Sequence, residues 1–245
     1  MSSLTKGPIS REIYTERLLH YIYDWVVLGF NMNYLWRCPT KSVLLPFFKE
    51  NFSTNHLDCG VATGYFPVAC LESNDGSEQG EEREQRLTLL DFNPNCLRTT
   101  ERAILSKVGG RCRSIEIECV EADVTAPLPK ALQDAKFRSI SMFNLLHCVP
   151  GGATHKLRSF RTLSRILDSD GGVLVGCTVM GEQYAARWWL SRLAVRHMNR
   201  VGVFHNLDDN REDIEKALGD AFEDVQTWLV GMTLLFKASK PRVDS

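Results

Sequence analysis

From Asn55 to Ala238 short apolar runs alternate with helix-length amphipathic segments, the spacing that βαβ units impose on a chain. The runs predict strands at Asn55 to Asp58, Leu87 to Asp91, Ser114 to Val120, Ile140 to Leu145 and Gly172 to Thr178. Between them, Tyr65 to Glu72, Cys96 to Lys107 and Thr154 to Leu167 carry helical periodicity, and a turn or short helix is expected near Pro129 to Asp134. A long helix over Glu182 to Val201 and a last helix over Asn210 to Phe222, opened by an Asn or Asp cap, come next. The chain closes on two strand-like runs, Asp224 to Val230 and Met232 to Ala238, separated by Gly231 alone, which predicts a tight antiparallel hairpin. Parallel βα units ended by a hairpin define an α/β, doubly wound sheet.

Ahead of the sheet, Ser10 to Phe30 sets Ile13, Leu18, Ile22, Trp25, Val26 and Phe30 at mostly helical spacing. Val43, Leu44, Phe47 and Phe48, following Pro39, predict a second short helix. This divides the chain into an N-terminal helical lid, residues 1–52, and a sheet domain, residues 53–245. Ser73 to Arg86 contains no apolar residue and reads as a solvated loop.

Composition narrows the function classes. With 245 residues, 44% hydrophobic and 24% charged, the chain has material for one large core. Lys and Arg number 29 against 30 Asp and Glu, so the basic excess of a dedicated nucleic-acid binder is missing and no nucleic-acid partner is expected. The longest apolar runs, Trp25 to Phe30 and Ile140 to Leu146, are far shorter than the roughly 20 residues that span a bilayer, so no membrane partner is expected either. Met1 to Ile9 shows no apolar signal core, which points to a cytoplasmic protein. Eight cysteines lie without CxxC pairs or a histidine at ligand spacing, so they are expected as buried thiols, with no metal site.

The chemistry concentrates at predicted strand ends. Asp58-Cys59-Gly60-Val61-Ala62-Thr63-Gly64 places an acid at the end of the first strand and a glycine-rich turn into a helix after it, where backbone can approach a ligand closely. Asp91 ends the second strand, placed to accept the ribose hydroxyls of an adenosine cofactor, with Asn93 just beyond it. Glu121-Ala122-Asp123-Val124 follows the third strand, and a carboxylate there is placed to accept the exocyclic amine of adenine. A nicotinamide cofactor is the nearest rival, but its GxGxxG turn is not matched by glycines spaced G-x-x-x-G, and no Tyr-x-x-x-Lys pair follows the fourth strand.

These residues resemble the class I S-adenosylmethionine-dependent methyltransferases over about residues 50 to 240. The resemblance rests on DxGxAxG at Asp58 to Gly64, on Asp91, on Glu121 to Val124, and on Phe143-Asn144-Leu145-Leu146-His147-Cys148-Val149-Pro150-Gly151. Tyr34 to Pro39 and Leu145 to Gly151 are similar to a smaller bacterial and fungal subgroup, whose fungal members often act in natural-product pathways. It implies a Rossmann-like seven-stranded sheet of order 3-2-1-4-5-7-6 with strand seven antiparallel, and S-adenosyl-L-methionine as cofactor. It also implies a cofactor site of Asp58, Gly60, Ala62, Gly64, Asp91, Asn93, Asp123, Val124 and Asn144, with Tyr23 and Arg37 as candidates to hold the methionine carboxylate.

Methyl transfer from a sulfonium needs alignment and a dry pocket more than a base. His147, just past strand four, is the candidate general base where the acceptor must lose a proton, or else it positions the turn or touches the cofactor. Tyr14 and Trp36 from the lid, and His205 and Asn206 after strand five, are candidate substrate contacts. Arg187, Arg192, Arg196 and Arg200 read as a solvated basic face, and Asp168 and Asp170 lie on the wrong side of strand five for a metal. The expected function is O-methylation of a small molecule, an enol or phenolic hydroxyl of a secondary metabolite. N- or C-methylation, or a cofactor-binding fold acting without methyl transfer, are the alternatives. The sequence leaves the oligomeric state open.

Overall fold

The computed structural model describes residues 19–73, 84–108, 115–185 and 188–242, with side chains from residue 27 onward. Seven strands form one sheet of order β3-β2-β1-β4-β5-β7-β6. They are β1 (Asn55–Cys59), β2 (Gln85–Asp91), β3 (Ile115–Glu121), β4 (Ser139–Phe143), β5 (Val173–Val179), β6 (Phe222–Val230) and β7 (Thr233–Pro241). β7 is antiparallel to β5 and to β6, while β1 to β5 pair in parallel.

Both faces of the sheet are covered, which is why β4 is buried along its whole length instead of alternating. Ile140, Met142, Leu174 and Phe236 point to one face, under Phe160 and Leu163 of α7 (Arg158–Ser164) and Ile214 and Leu218 of α9 (Arg211–Ala221). Phe143, Val175, Cys177 and Leu235 point to the other, under α1 (Leu19–Leu35), α2 (Leu45–Glu50) and α8 (Trp189–Arg200). α3 (Tyr65–Ser73) and α4 (Pro94–Val108) pack over Leu87 and Leu89 of β2. Two short helices, α5 (Lys130–Gln133) and α6 (Ala153–Lys156), complete the crossovers.

Several predicted bounds change. The N-terminal helix continues past Phe30 to Leu35 and is wound with the wider π spacing, and a π turn over Thr40–Leu44 precedes α2, whose Pro46 sits in the first turn. The predicted helix from Thr154 to Leu167 is split into α6 and α7. The long helix over Glu182 to Val201 is replaced by a 3-10 turn, Glu182–Ala185, and α8, because Trp188 is extended at φ −132° and sits beneath the Arg37 guanidinium, 5.1 Å from its ring centre. The polar loop ends earlier than expected, since Gln85 and Arg86 already pair within β2. The Asn210 cap is as expected: its side chain accepts from the Asp213 amide at 2.7 Å.

The terminal hairpin fixes where the N-terminal segment sits. Val230 pairs with Thr233, so the turn has two residues, Gly231 and Met232, one more than the sequence predicts. Gly231 has φ +60°, and a Cβ there would lie 2.4 Å from the Trp36 carbonyl oxygen. Only glycine allows both the backbone and the approach. Met232 N–H donates to that same Trp36 oxygen at 2.8 Å, and Met180 N–H donates to the Met232 oxygen at 2.8 Å.

In its described part, the segment expected as a lid is therefore built into the core. Phe48, 1% exposed, stacks on Phe66 with centroids 5.2 Å apart and meets Phe143 edge-on at 5.0 Å. Phe48→Ala is expected to cost about 3–5 kcal/mol of global stability, read as a lowered urea midpoint; a loss confined to activity at unchanged midpoint would show a detachable lid instead.

Candidate active site

The Gly60–Gly64 turn leaves β1 at the carboxyl end of the sheet. Gly60 (φ +77°), Ala62 (φ +47°) and Gly64 (φ +75°) all occupy the left-handed region, which for the alanine costs about 1 kcal/mol. The turn keeps this shape because it is gripped on several sides. Gly60 N–H donates to the Leu90 oxygen at 2.8 Å, Gly64 N–H to the Val61 oxygen at 2.8 Å, and the Thr100 hydroxyl to the Ala62 oxygen at 3.3 Å. A Cβ on Gly64 would reach within 2.6 Å of Thr100, and one on Gly60 within 2.8 Å of Leu145.

Asp91 lies beneath the turn. Its carboxylate accepts from the backbone amides of Asn93, at 2.9 Å, and of Ala62 and Val61. Burial nevertheless pushes its pKa up to about 6, the amides opposing that shift. Asp58 is buried one strand away, accepts from the Ser141 hydroxyl, and is pushed up to about 7 by burial, with the Asp91 charge adding to the rise. Two carboxylates under one turn favour a ligand that brings positive charge or hydroxyl donors.

A cleft of about 910 Å³, part of it open to solvent, runs along these strand ends. Gly60, Ala62, Asp91, Asn93, Asp123 and Val124 of the predicted set line it together. Sequence reasoning missed Phe92, Cys96, Thr125, Pro150 and His155. Phe92 was legible as the neighbour of Asp91, whereas nothing in the chain singles out His155, whose Nε2 lies 3.1 Å from the Thr125 hydroxyl. The same hydroxyl donates to Asp123 Oδ1 at 2.7 Å, holding that acid at the mouth of the cleft.

The remaining predicted residues stand elsewhere. Tyr14 lies outside the described residues, and so does the side chain of Tyr23. Arg37 is exposed above Trp188. Trp36 is 1% exposed and packs against Phe204, so it takes a packing position and not a substrate-facing one. Asn206 spends its side chain on Val179 O at 2.7 Å and Asn199 at 2.9 Å, and its backbone N–H on Asn199 at 3.0 Å. His205 is exposed, and its backbone joins the His147 oxygen, at 2.7 Å, to Lys156 Nζ, at 2.8 Å. His147 is buried, off the cleft, with the Val179 N–H donating to its Nδ1 at 3.1 Å and the Phe204 ring 4.3 Å away. Burial, helped by the Lys156 charge, lowers its pKa to about 3. Among the described residues no group of three metal-ligating side chains comes together.

No protein-family profile matches the chain. It is 47% identical over 252 residues to the O-methyltransferase NEC2 of Pyricularia oryzae, covering 94% of this chain and 92% of that one. It is 39% identical to the methyltransferase verB of Penicillium polonicum, over 90% of this chain and 94% of that protein. In fold it is similar to an O-methyltransferase family protein from Burkholderia thailandensis, with a TM-score of 0.61 at 13% identity over 94% of this chain and 59% of that chain. The chain belongs to the class I S-adenosylmethionine-dependent methyltransferases.

The residues of this methyltransferase fit its cofactor. Asn144, the first residue past β4, has φ +55° and a buried Nδ2 without a hydrogen-bond partner. Its Oδ1 accepts from Cys177 Sγ at 3.5 Å, so the side chain is turned to β5, outside the lining of the cleft. Asp91 and Asn93 would hold the ribose, and Asp123 and Val124 the adenine side.

Asp91→Ala is expected to weaken S-adenosylhomocysteine binding by about 1.5–3 kcal/mol, measured by titration calorimetry; unchanged affinity would remove Asp91 from the site. A second expectation follows from its pKa. Raised from 3.8 to about 6 in the folded chain, Asp91 binds a proton there at pH values where the unfolded chain has released it. Its contribution to stability therefore falls as pH rises through that window. Relative to wild type, the melting temperature of ligand-free Asp91→Asn should climb between about pH 4 and about pH 6, and a constant difference in calorimetric scans would contradict this.

Proposed function

We propose that this enzyme O-methylates a small molecule, an enol or phenolic hydroxyl of a secondary metabolite, in the cytosol. The observation that carries the reading is the cleft in which Gly60, Ala62, Asp91 and Asp123 converge at the carboxyl ends of β1, β2 and β3. The O-methyltransferase named among its relatives supports oxygen as the acceptor atom. The free, mostly buried thiols of Cys38, Cys59, Cys70, Cys96 and Cys177 fit a reducing compartment, and no helix among the described residues is long and apolar enough to cross a membrane.

The cofactor, when bound, supplies a methyl group already activated for displacement. The chain's own task is to hold the acceptor oxygen in line and to exclude water. We assign His147 to the framework of that task. Val179 N–H donates to Nδ1, so the ring proton resides on Nε2 and no bare nitrogen is left to take a proton. A protonated ring would also set N–H against N–H. With His205 N–H on its backbone oxygen at 2.7 Å, His147 ties the turn after β4 to the loop after α8.

Incubation with labelled cofactor and a panel of phenolic metabolites should give products heavier by one methylene in mass spectra; turnover only of amines would overturn the oxygen assignment. His147→Asn is expected to lower the melting temperature yet keep kcat within about tenfold, since a lost general base costs about 10²–10⁴. A larger loss of kcat, with disappearance of a group titrating near neutral pH, would make His147 the base.

A further inference from the structure

One buried polar feature lies outside the steps above. On the sheet face that carries Phe48, the register sets His56 beside Ser139 and Asp58 beside Ser141. Successive residues of a strand alternate faces, so these four side chains share one side of β1 and β4. His56 Nδ1 lies 2.6 Å from the Ser139 hydroxyl and Nε2 lies 2.9 Å from the Ser141 hydroxyl, while Ser141 donates to Asp58 Oδ1. At the other end Ser53 N–H donates to Ser139 Oγ at 3.0 Å, and the two serine hydroxyls are 2.7 Å apart. The hydrogen-bonded chain runs along β1 and β4 on that face, with the Phe52 and Phe48 rings centred 4.7 and 5.4 Å from the imidazole.

The three links from Ser139 through His56 and Ser141 to Asp58 can each be polarised in two directions. With Asp58 ionised, Ser141 donates to it, His56 donates from Nε2 to Ser141, and Ser139 donates to Nδ1. With Asp58 protonated these three reverse, Asp58 donating to Ser141, Ser141 to Nε2 and Nδ1–H to Ser139, and the Ser139 hydroxyl then donates to Ser53 Oγ. The two arrangements differ by one proton, and between them each proton of the chain shifts by one link, towards Asp58 as the carboxylate is protonated. His56 stays neutral in both, since Phe48 and Phe52 enclose it and burial lowers its pKa to about 3.

We propose that His56, Ser139 and Ser141 are positioning residues that bind Asp58 into a two-state hydrogen-bond unit, coupled to cofactor binding at the Gly60–Gly64 turn. The proposal rests on reading the cleft as the cofactor site. Asp58 precedes that turn, and the groups around it are Asp91 on β2, Cys59 on its own strand, and Cys70 on α3, with Lys49 of α2 facing Cys70. None of these thiols is ionised near neutral pH, because burial raises both. The carboxylate of Asp91 therefore dominates, and a cofactor bearing an ammonium group relieves the repulsion and selects the ionised arrangement. Burial places the switch of Asp58 at about 7.

The test uses full-length protein labelled with ¹⁵N-histidine. Two-bond ¹H–¹⁵N correlation spectra should show His56 as the Nδ1–H tautomer at about pH 6 and as the Nε2–H tautomer at about pH 8, with S-adenosylhomocysteine moving the midpoint down. Ser141→Ala should make the tautomer independent of pH and raise the pH midpoint of S-adenosylhomocysteine affinity by about one unit, since Asp58 loses a donor. A purely structural serine would lower the melting temperature and leave both readouts in place. One His56 tautomer at every pH, or an affinity midpoint indifferent to Ser141→Ala in protein that binds the ligand, overturns the proposal alone. Absence of S-adenosylhomocysteine binding at every pH, with the tautomer switch intact, overturns the coupling together with the cofactor reading.

Discussion

The carboxylate of Asp91 stands at the junction between β2 and the turn that leaves β1, and the ligand-facing end of the sheet is built outward from it. Three backbone amides, from Val61, Ala62 and Asn93, donate to one buried carboxylate. That arrangement binds the glycine turn to the neighbouring strand and keeps Ala62 in a conformation an alanine adopts only under constraint. Burying the acid is unfavourable, as its raised pKa shows, so the folded chain holds an unfavourable charge where a hydroxyl-bearing, positively charged ligand would relieve it. This is the general condition of a preorganised site, in which strain and desolvation are incurred at folding and the ligand finds its partners in place.

The other face of the sheet determines how that end is closed. Aromatic packing of Phe47, Phe48, Phe66 and Phe143 secures the N-terminal helices to the sheet. The Gly231 turn then brings the Trp36 backbone against the end of β7. The described part of the N-terminal segment is thus continuous with the core. The loop after α8 is fixed just as firmly: Lys156, 1% exposed, reaches Asp209 at 2.7 Å and the His205 oxygen at 2.8 Å. A buried pair of this kind contributes little to stability on balance, but breaking it leaves a naked charge, so it specifies one loop position.

His147 shows how one residue type suits two roles. A histidine past the fourth strand has the right chemistry for proton abstraction, yet the Val179 amide occupies the nitrogen that would define it as a base. Trp36 and Asn206 show the same thing for aromatic and amide side chains, which serve packing and backbone anchoring equally well. By contrast Gly60, Ala62, Asp91, Asn93, Asp123 and Val124 converge as the sequence indicates, because their positions follow from strand ends alone.

What the chain determined by itself is the order of its elements, the doubly wound sheet with its closing hairpin, and the acids that terminate β2 and follow β3. Apolar periodicity and glycine spacing are local properties, and in a parallel sheet every strand end reaches the same edge, so residues placed there by local pattern meet without further instruction. Tertiary structure alone decided the rest: the break before α8 under Arg37, the hydrogen bond that fixes the His147 tautomer, the orphan amide of Asn144, and the pairing of His56 and Asp58 with two serines more than eighty positions away. Those outcomes depend on which donor meets which acceptor between distant segments, and on how far burial strips each of water, neither of which has a period in the sequence.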